Sequence, residues 1–149
     1  MNLQTGARLV TSNAACNEVD KNRVGIIERA VETAAVKNVA VIEGRPPETN
    51  FPAQCCDGIF MRNVYHHFGD PPAMNASLHA SLKPGGRLAI IDFTPPPGNE
   101  AAPGRRAEDN RHGITAPTLE AELKSAGFEI VSATTTSRTV RVVARRPTS

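Results

Sequence analysis

The chain has 149 residues, 17 Lys and Arg against 15 Asp and Glu, and 40% hydrophobic residues. These values suit one globular domain and exclude a disordered, collagen-like or mucin-like chain, which would be less apolar, more highly charged or repetitive. A net charge of +2 with five Phe, one Tyr and no Trp offers no basic surface interleaved with aromatic rings. We therefore expect no nucleic-acid partner.

The three cysteines are Cys16, Cys55 and Cys56. The chain has no CxxC spacing that would indicate a zinc site. Adjacent cysteines make a poor disulfide, and an odd number of cysteines is atypical of a secreted scaffold. No apolar run has the length of a signal-peptide core or of a membrane span, which needs about 20 residues. The sequence therefore predicts no metal, no membrane contact and a cytoplasmic location.

A helix and a strand are predicted in the first third of the chain. Asp20 or Asn22 caps a helix over KNRVGIIERAVETAAV, where apolar residues recur at steps of three and four. Residues 39–42 form an apolar, β-branched run that is typical of a strand buried on both faces of a parallel sheet. The proline-containing segment 44–56 is predicted to be a loop or a broken helix.

Strand and helix alternate again in the middle of the chain. Residues 58–61 indicate a buried strand, and a Pro-Pro pair opens a helix over residues 73–82. The sequence KPGG at residues 83–86 stops this helix, and residues 87–93 are predicted to form the next strand. Such alternation favours an α/β fold.

Residues 94–114 are rich in Pro, Gly and charge, and they are predicted to form a long, exposed and mobile loop. Within it, the pair Arg105-Arg106 is expected to be solvated surface. Thr115 caps a helix that ends at Gly127, and residues 128–133 and 139–144 form an antiparallel pair of strands. The whole pattern predicts a three-layer α/β sandwich with a mostly parallel sheet, in which ligands bind at the carboxyl ends of the strands.

Five phrases follow one another along the chain: NEVDKNRV, NVAVIEG, CCDGIFMRNVYHHFGDP, SLKPGGRLAIIDF and LKSAGFEIV. With LKPGG before a strand such as RLAIIDF and AGF before the last hairpin, the chain from about Cys16 to Arg145 resembles the class I S-adenosylmethionine-dependent methyltransferases. The resemblance implies a Rossmann-like sandwich, S-adenosylmethionine as cofactor, and methyl transfer to a small-molecule acceptor.

The first strand and helix of the family pattern are missing or degenerate. Family members carry an acidic-x-Gly-x-Gly-x-Gly turn after strand one, whereas Gly6 is the only glycine here before Gly25. A glycine turn lets the backbone approach a ligand, and the helix that follows offers free N–H groups to it. We therefore interpret residues 1–149 as a single methyltransferase-like domain that is truncated at its amino terminus. Residues 1–15 are degenerate or irregular, and residues 8–12 are the candidate replacement for the strand.

Loss of a central strand exposes apolar sheet edges. Self-association is the predicted way of covering them. The alternative to a methyltransferase is a non-catalytic remnant, which acts as an interaction module or has no independent function.

The resemblance assigns four residues to the cofactor. Glu18 matches the acid after the family's second strand, whose carboxylate accepts both ribose hydroxyls, with a solvated helix cap as the alternative. Arg45 stands where an acid near the adenine is common, which leaves that contact to the backbone or to Glu48. Asn63 and Val64 follow the strand that matches the fourth, where the family lines the methionine portion of the cofactor.

His66 and His112 are the predicted catalytic residues. The unperturbed pKa of a histidine lies near neutrality, so either ring can take a proton from an acceptor oxygen or nitrogen. The alternatives are that His66 packs together with His67 and caps the next helix, and that His112 is a solvated loop residue.

Overall fold

The computed structural model describes residues 14–149, apart from the side chain of Cys16. The proposed replacement strand at residues 8–12 therefore lies outside the described residues. The chain divides into two compact units, Met1–Gly44 and Arg45–Ser149, and each is described by itself.

The first unit contains a strand, a helix and a second strand. β1 (Ala14–Glu18) pairs in parallel with β2 (Val39–Glu43), and α1 (Lys21–Thr33) connects them. The side chain of Asp20 accepts hydrogen bonds from two backbone N–H groups of the first helical turn. Of the two residues proposed as the cap, Asp20 is thus the one that caps α1.

The second unit contains a four-stranded mixed sheet with the strand order β3-β4-β6-β5. β3 (Cys56–Arg62) and β4 (Leu82–Phe93) are parallel. β6 (Thr139–Arg145) pairs antiparallel with both β4 and β5 (Glu129–Thr135). The predicted carboxyl-terminal hairpin is therefore confirmed.

Two helices cover one face of this sheet. α2 (Pro71–Ser81) is capped by Asp70, and α3 (Ala116–Ser125) is capped by Thr115 as predicted. No helix among residues 14–149 combines the length and the apolar character that crossing a bilayer requires. The buried core is apolar and comes from these helices, their flanking turns and one face of the sheet: Tyr65, Met74, Leu78, Leu82, Leu88, Ile90, Ile114, Leu119, Leu123, Phe128, Val140, Val142 and Ala144.

β4 begins at Leu82, earlier than the start at residue 87 that the sequence predicted. The residues expected to be only a helix stop already belong to the strand, which starts with Leu82 paired to Cys56 and in which the Gly85 N–H donates to the Arg146 carbonyl at 2.9 Å. The Arg146 guanidinium also donates to the His79 carbonyl at 3.0 Å, near the end of α2. The carboxyl-terminal tail therefore ends the helix and extends the strand, and no local signal encodes this contact.

The long loop after β4 has no helix or strand, as predicted, but the prediction that it is exposed throughout is wrong. Arg106 is only 2% exposed. Its guanidinium donates to the Ala101 carbonyl at 3.1 Å and to both carboxylate oxygens of Glu122, at 2.6 Å and 3.2 Å. Arg105 is exposed, so the expectation of a solvated basic pair fails for Arg106 alone. The reason is that α3 presents a carboxylate to which the planar guanidinium binds in a fork.

The carboxylate of Glu122 also connects this loop to α2. The Tyr65 hydroxyl donates to Glu122 Oε2 at 2.9 Å, and Asn75 Nδ2 donates to the Tyr65 oxygen at 2.7 Å. Burial raises the pKa of Tyr65 far above its usual value, so this hydroxyl stays a donor at any physiological pH. Four polar side chains thus hold α2, α3 and the loop together.

Cys55 and Cys56 form a disulfide bond, which corrects the expectation that adjacent cysteines do not pair. They stand at the entry to β3, directly after a turn in which Gln54 has a φ of 52°. The turn bends the chain ahead of the strand, a feature that the sequence pattern did not reveal.

Arg106→Met is expected to lower the free energy of unfolding by about 3 kcal/mol, because it leaves the mostly buried carboxylate of Glu122 without its cation. Urea denaturation followed by circular dichroism measures this change. Arg105→Met is the matched control, since Arg105 is exposed and its removal should leave the midpoint unchanged. Equal midpoints for the two variants would show that the Glu122 pair contributes no more than a surface pair.

Candidate active site

The carboxyl ends of β3 and β4 lie at one edge of the sheet, because the two strands are parallel. Asn63 and Val64 follow β3, and a single 3₁₀ turn over Tyr65–His67 comes next. Asp92 and Phe93 are the last two residues of β4. This edge therefore contains Asn63, Val64 and His66, three of the six residues that the sequence assigned to chemistry.

His66 is bound twice by the carboxylate of Asp92. The ring Nδ1 lies 2.7 Å from Asp92 Oδ1, and the backbone N–H of His66 donates to Oδ2 at 3.0 Å. The Phe93 N–H donates to Oδ1 at 2.7 Å. Both side chains are buried, with exposures of 1% for His66 and 0% for Asp92. A carboxylate that accepts three donors is satisfied in the core, and it fixes the orientation of the imidazole.

His66 is neutral near pH 7. Burial of the ring lowers the pKa of His66 below its usual value of 6.5, and the charge of Asp92 offsets part of that shift. Because the carboxylate accepts from Nδ1–H, the lone pair is on Nε2. Among the described residues, Nε2 has no hydrogen-bond partner. The arrangement therefore provides a neutral ring with an unused acceptor.

The structure brings the two predicted catalytic residues together. The ring centroids of His66 and His112 are 4.3 Å apart, although the residues are far apart in sequence. His112 is exposed, whereas His66 is buried. His67, which the alternative assigned to packing, is exposed even though its ring lies 4.0 Å from that of His66. Of the cluster, His112 is the ring that faces a cavity.

Two contacts of the long loop position His112. The Gly113 N–H donates to the Arg106 carbonyl at 2.9 Å, and the Ile114 N–H donates to the Phe93 carbonyl at 2.9 Å. Gly113 has a φ of 123°, and a Cβ there would collide with the Phe93 carbonyl. Only glycine allows the loop to approach β4 this closely, and the approach places the neighbouring His112 against His66.

A cleft of about 370 Å³ opens beside this cluster, at the end of β4 and the start of β6. Thr94 Oγ1 is buried and has no hydrogen-bond partner among the described residues. The walls of the cleft are aromatic, hydroxyl-bearing and cationic side chains: Phe93, Thr94, His112, Arg138 and Thr139.

Glu18 is the last residue of β1, as the match to the family predicts. Its Oε1 accepts hydrogen bonds from the N–H groups of Val19 and Asp20, at 2.8 Å and 3.1 Å, and its Oε2 lies 3.3 Å from Arg23 Nε. Two carboxylate oxygens provide about four acceptor positions, so one remains. A second becomes free if the exposed Arg23 turns away, which costs under about 1 kcal/mol for a surface pair. The residue thus fits a vicinal diol such as that of a ribose.

The other three residues assigned to the cofactor belong to the second unit. Arg45 is exposed and forms a short antiparallel bridge with Glu48, with N···O distances of 2.8 Å and 3.2 Å. Asn63 has a φ of 55°, and its N–H donates to the Ile91 carbonyl at 2.8 Å. Val64 is 43% exposed.

The sequence placed Asp92 near the carboxyl end of a predicted strand, where ligands bind, but gave it no role, and it did not single out Arg138. Asp92 had a detectable signal, because it continues the inward alternation of Leu88 and Ile90 on β4, and an acid at such a position needs a buried partner. Arg138 had none. It reaches the cleft because β6 is antiparallel to β4, so that the turn before β6 returns to the edge where β4 ends.

A family model described as a methyltransferase domain matches residues 11–133. The chain therefore belongs to the class I methyltransferase family, whose cofactor is S-adenosylmethionine. It is 26% identical over 91 residues to the uncharacterized protein YafE of Escherichia coli K12, and the alignment covers 61% of this chain and 44% of YafE. The chain thus spans less than half the length of that relative.

Solved structures show the same fold. A S-adenosylmethionine-dependent methyltransferase from Aquifex aeolicus is similar with a TM-score of 0.72 and 21% identity, over 89% of this chain and 68% of that one. The [4+2]-cyclase SpnF is similar with a TM-score of 0.78 and 15% identity, over 93% of this chain and 67% of that one. The predicted Rossmann-like α/β fold is therefore confirmed.

Acidification below pH 6.5 is expected to destabilise the protein. The unfolded chain takes up a proton on His66 more readily than the folded chain, in which burial lowers the pKa of His66. The stability that this ring contributes is therefore full above its usual pKa and is lost as the pH falls below it. Urea denaturation across this pH range should give a shallower pH dependence for His66→Asn, which keeps an amide donor toward Asp92.

The variant is not expected to lose the whole dependence, because burial also lowers the pKa of His79. Identical pH slopes for the variant and the unsubstituted protein would contradict the neutral, buried state of His66.

Proposed function

We propose that this chain binds S-adenosylmethionine and directs transfer of its methyl group to a small-molecule acceptor. The observation that carries the proposal is the linked set Asp92, His66 and His112 beside a cleft, in a chain of the methyltransferase family. The size of the cleft supports an acceptor of low molecular weight. The cytoplasmic location indicated by the sequence stays a prediction.

Each cofactor residue has a separate role in the proposal. Glu18 accepts hydrogen bonds from the ribose hydroxyls, for which its carboxylate has the acceptor capacity. The backbone of Arg45 contacts the adenine. Asn63 and Val64 line the methionine portion, and the left-handed backbone of Asn63 turns the chain at the end of β3 for this purpose.

The protein does not need to activate the methyl group, because the positively charged sulfur of the cofactor already does so. Much of the rate then comes from holding methyl group and acceptor in line. The walls of the cleft position the acceptor. If the acceptor has a proton to lose, His112 takes it, since His112 is the histidine that lines the cleft.

His66 acts through His112 and is a positioning residue in this proposal. Its ring is buried and bonded to Asp92, so it does not reach the acceptor. The ring of His66 lies 4.3 Å from that of His112, centroid to centroid, so packing against this fixed imidazole holds His112 beside the cleft.

The binding arm of the test is a thermal melt with increasing S-adenosylhomocysteine. A ligand that binds only the native state raises its stability by RT ln(1+[L]/Kd), so the melting temperature should climb with concentration. Glu18→Gln should climb less, because one of the two oxygens becomes an amide donor. Glu28→Gln, an exposed residue of α1, is the control. A cooperative melt whose melting temperature does not change with ligand concentration would refute the proposal and support the non-catalytic interaction module.

The transfer arm uses S-adenosylmethionine with a deuterated methyl group and a panel of small phenols, carboxylic acids and amines. Mass spectrometry identifies the product by its added label. For acceptors that lose a proton, His112→Gln should lower kcat by about 100-fold, the usual size of general-base catalysis. His67→Gln, another exposed histidine that does not line the cleft, should keep the activity. Equal losses in both variants would exclude His112 as the base.

We also propose that the chain self-associates through the edge of β3. Within residues 14–149, β3 pairs with β4 alone, and Phe60 on this strand is 64% exposed. An open strand edge with an exposed aromatic ring favours pairing with a strand from another chain.

Sedimentation velocity is expected to detect a dimer that Phe60→Lys dissociates, because a charge at this edge opposes pairing. Val131→Lys, at an exposed apolar residue of β5 on the opposite edge, is the control and should leave the dimer intact. A monomer at all concentrations would refute self-association without bearing on methyl transfer.

A further inference from the structure

We propose that the acceptor is a planar, ring-containing molecule with a carboxylate, and that Arg138 binds the carboxylate in the cleft. The inference rests on the proposed function, which leaves the acceptor unspecified. It depends on the charge, the unsatisfied hydroxyl and the aromatic walls of the cleft, none of which follows from membership of the family.

The charge of the residues that line the cleft favours an anionic ligand. Arg138 is the only formally charged side chain among the residues that line the cleft, and no carboxylate lines it. Three arginines of the unit are ion-paired, namely Arg105 with Glu108, Arg106 with Glu122 and Arg145 with Glu129. Within the described part of the chain, Arg138 has no such ion pair. A guanidinium binds a carboxylate through two parallel N–H donors, so an anionic ligand fits this wall best.

Arg138 is also held in place at its backbone. The Thr94 N–H donates to the Arg138 carbonyl at 3.1 Å, which ties the turn before β6 to the end of β4. Thr136 Oγ1 accepts hydrogen bonds from the N–H groups of Arg138 and Thr139, at 3.4 Å and 3.1 Å. The backbone of the turn that carries Arg138 therefore needs no reordering when a ligand binds.

The hydroxyl of Thr94 also favours a ligand with a hydrogen-bond acceptor. Its Oγ1 is buried without a hydrogen-bond partner in the part of the chain described, and the residue lines the cleft. A buried polar group that lacks a partner is destabilising, so a ligand that supplies one gains affinity. Rotation of the Thr94 side chain toward the cleft would let this hydroxyl donate to a carboxylate oxygen beside Arg138.

The shape of the apolar wall favours a flat ligand. The rings of Phe93 and His112 meet edge to face, with centroids 5.1 Å apart and an angle of 63° between their planes. Phe93 is 38% exposed at the end of its strand. Two ring faces at this angle favour a flat partner, because aromatic rings attract in offset or edge-to-face arrangements.

The test uses benzoate and benzamide as probes, since they share a ring and differ in charge. Their dissociation constants are measured by ligand-observed NMR on the full chain. We expect benzoate to bind about tenfold more tightly than benzamide, because a charge-assisted contact is stronger than a neutral one even where solvent weakens it. Higher salt should reduce this preference.

Arg138→Gln should abolish the preference for benzoate. Arg141→Gln is the matched control, because Arg141 is an exposed arginine of the same β6 strand and does not line the cleft. Thr94→Val keeps the shape of the side chain and should weaken benzoate several-fold. Thermal melts of the three variants, compared with the unsubstituted protein, show that each is folded.

Equal affinities for benzoate and benzamide, or equal losses in Arg138→Gln and Arg141→Gln, would overturn the inference. Stabilisation by S-adenosylhomocysteine without selective benzoate binding leaves the proposed function intact and removes the acceptor class. If S-adenosylhomocysteine displaces benzoate and Arg138→Gln weakens both, the carboxylate recognised is that of the cofactor, and the assignment to the acceptor is wrong.

Discussion

The hydrogen bonds between the buried carboxylate of Asp92 and His66 are the interaction on which this site depends. Asp92 occupies an inward position of β4, where an unpaired charge would be costly. The backbone and ring of His66 both bind it, so the turn after β3 is drawn against the end of β4. Burial then keeps the imidazole neutral, with its free nitrogen next to the other histidines. Stability and chemistry at this edge therefore have the same cause.

The long loop is the second requirement, because His112 comes from it. A loop of this composition would be mobile in solvent if its only contacts were local. Arg106 anchors it to α3 through Glu122, and Gly113 allows it to touch the backbone of Phe93. The segment that looked least ordered in sequence thus supplies the exposed histidine of the cleft, and the salt bridge between Arg106 and Glu122 helps to fix where that histidine lies.

Family and fold limit the function without specifying it. The same fold is found in a methyltransferase from Aquifex aeolicus and in the [4+2]-cyclase SpnF, so the argument for methyl transfer rests on the family match and on the site. The sequence contains no glycine-rich turn, and Glu18 shares its carboxylate with its own backbone and Arg23. Binding of the cofactor is accordingly the first property to test.

The sequence by itself determined the order of helices and strands, the helix caps and the family, because apolar periodicity, capping residues and linear phrases are local properties. It also named His66 and His112, each with an alternative that the sequence left open. Only the tertiary structure joined these two residues, buried Arg106 and brought Arg138 to the cleft. Those outcomes depend on which strands pair and on which distant carboxylate meets each cation, and such long-range contacts leave no periodic pattern in the chain.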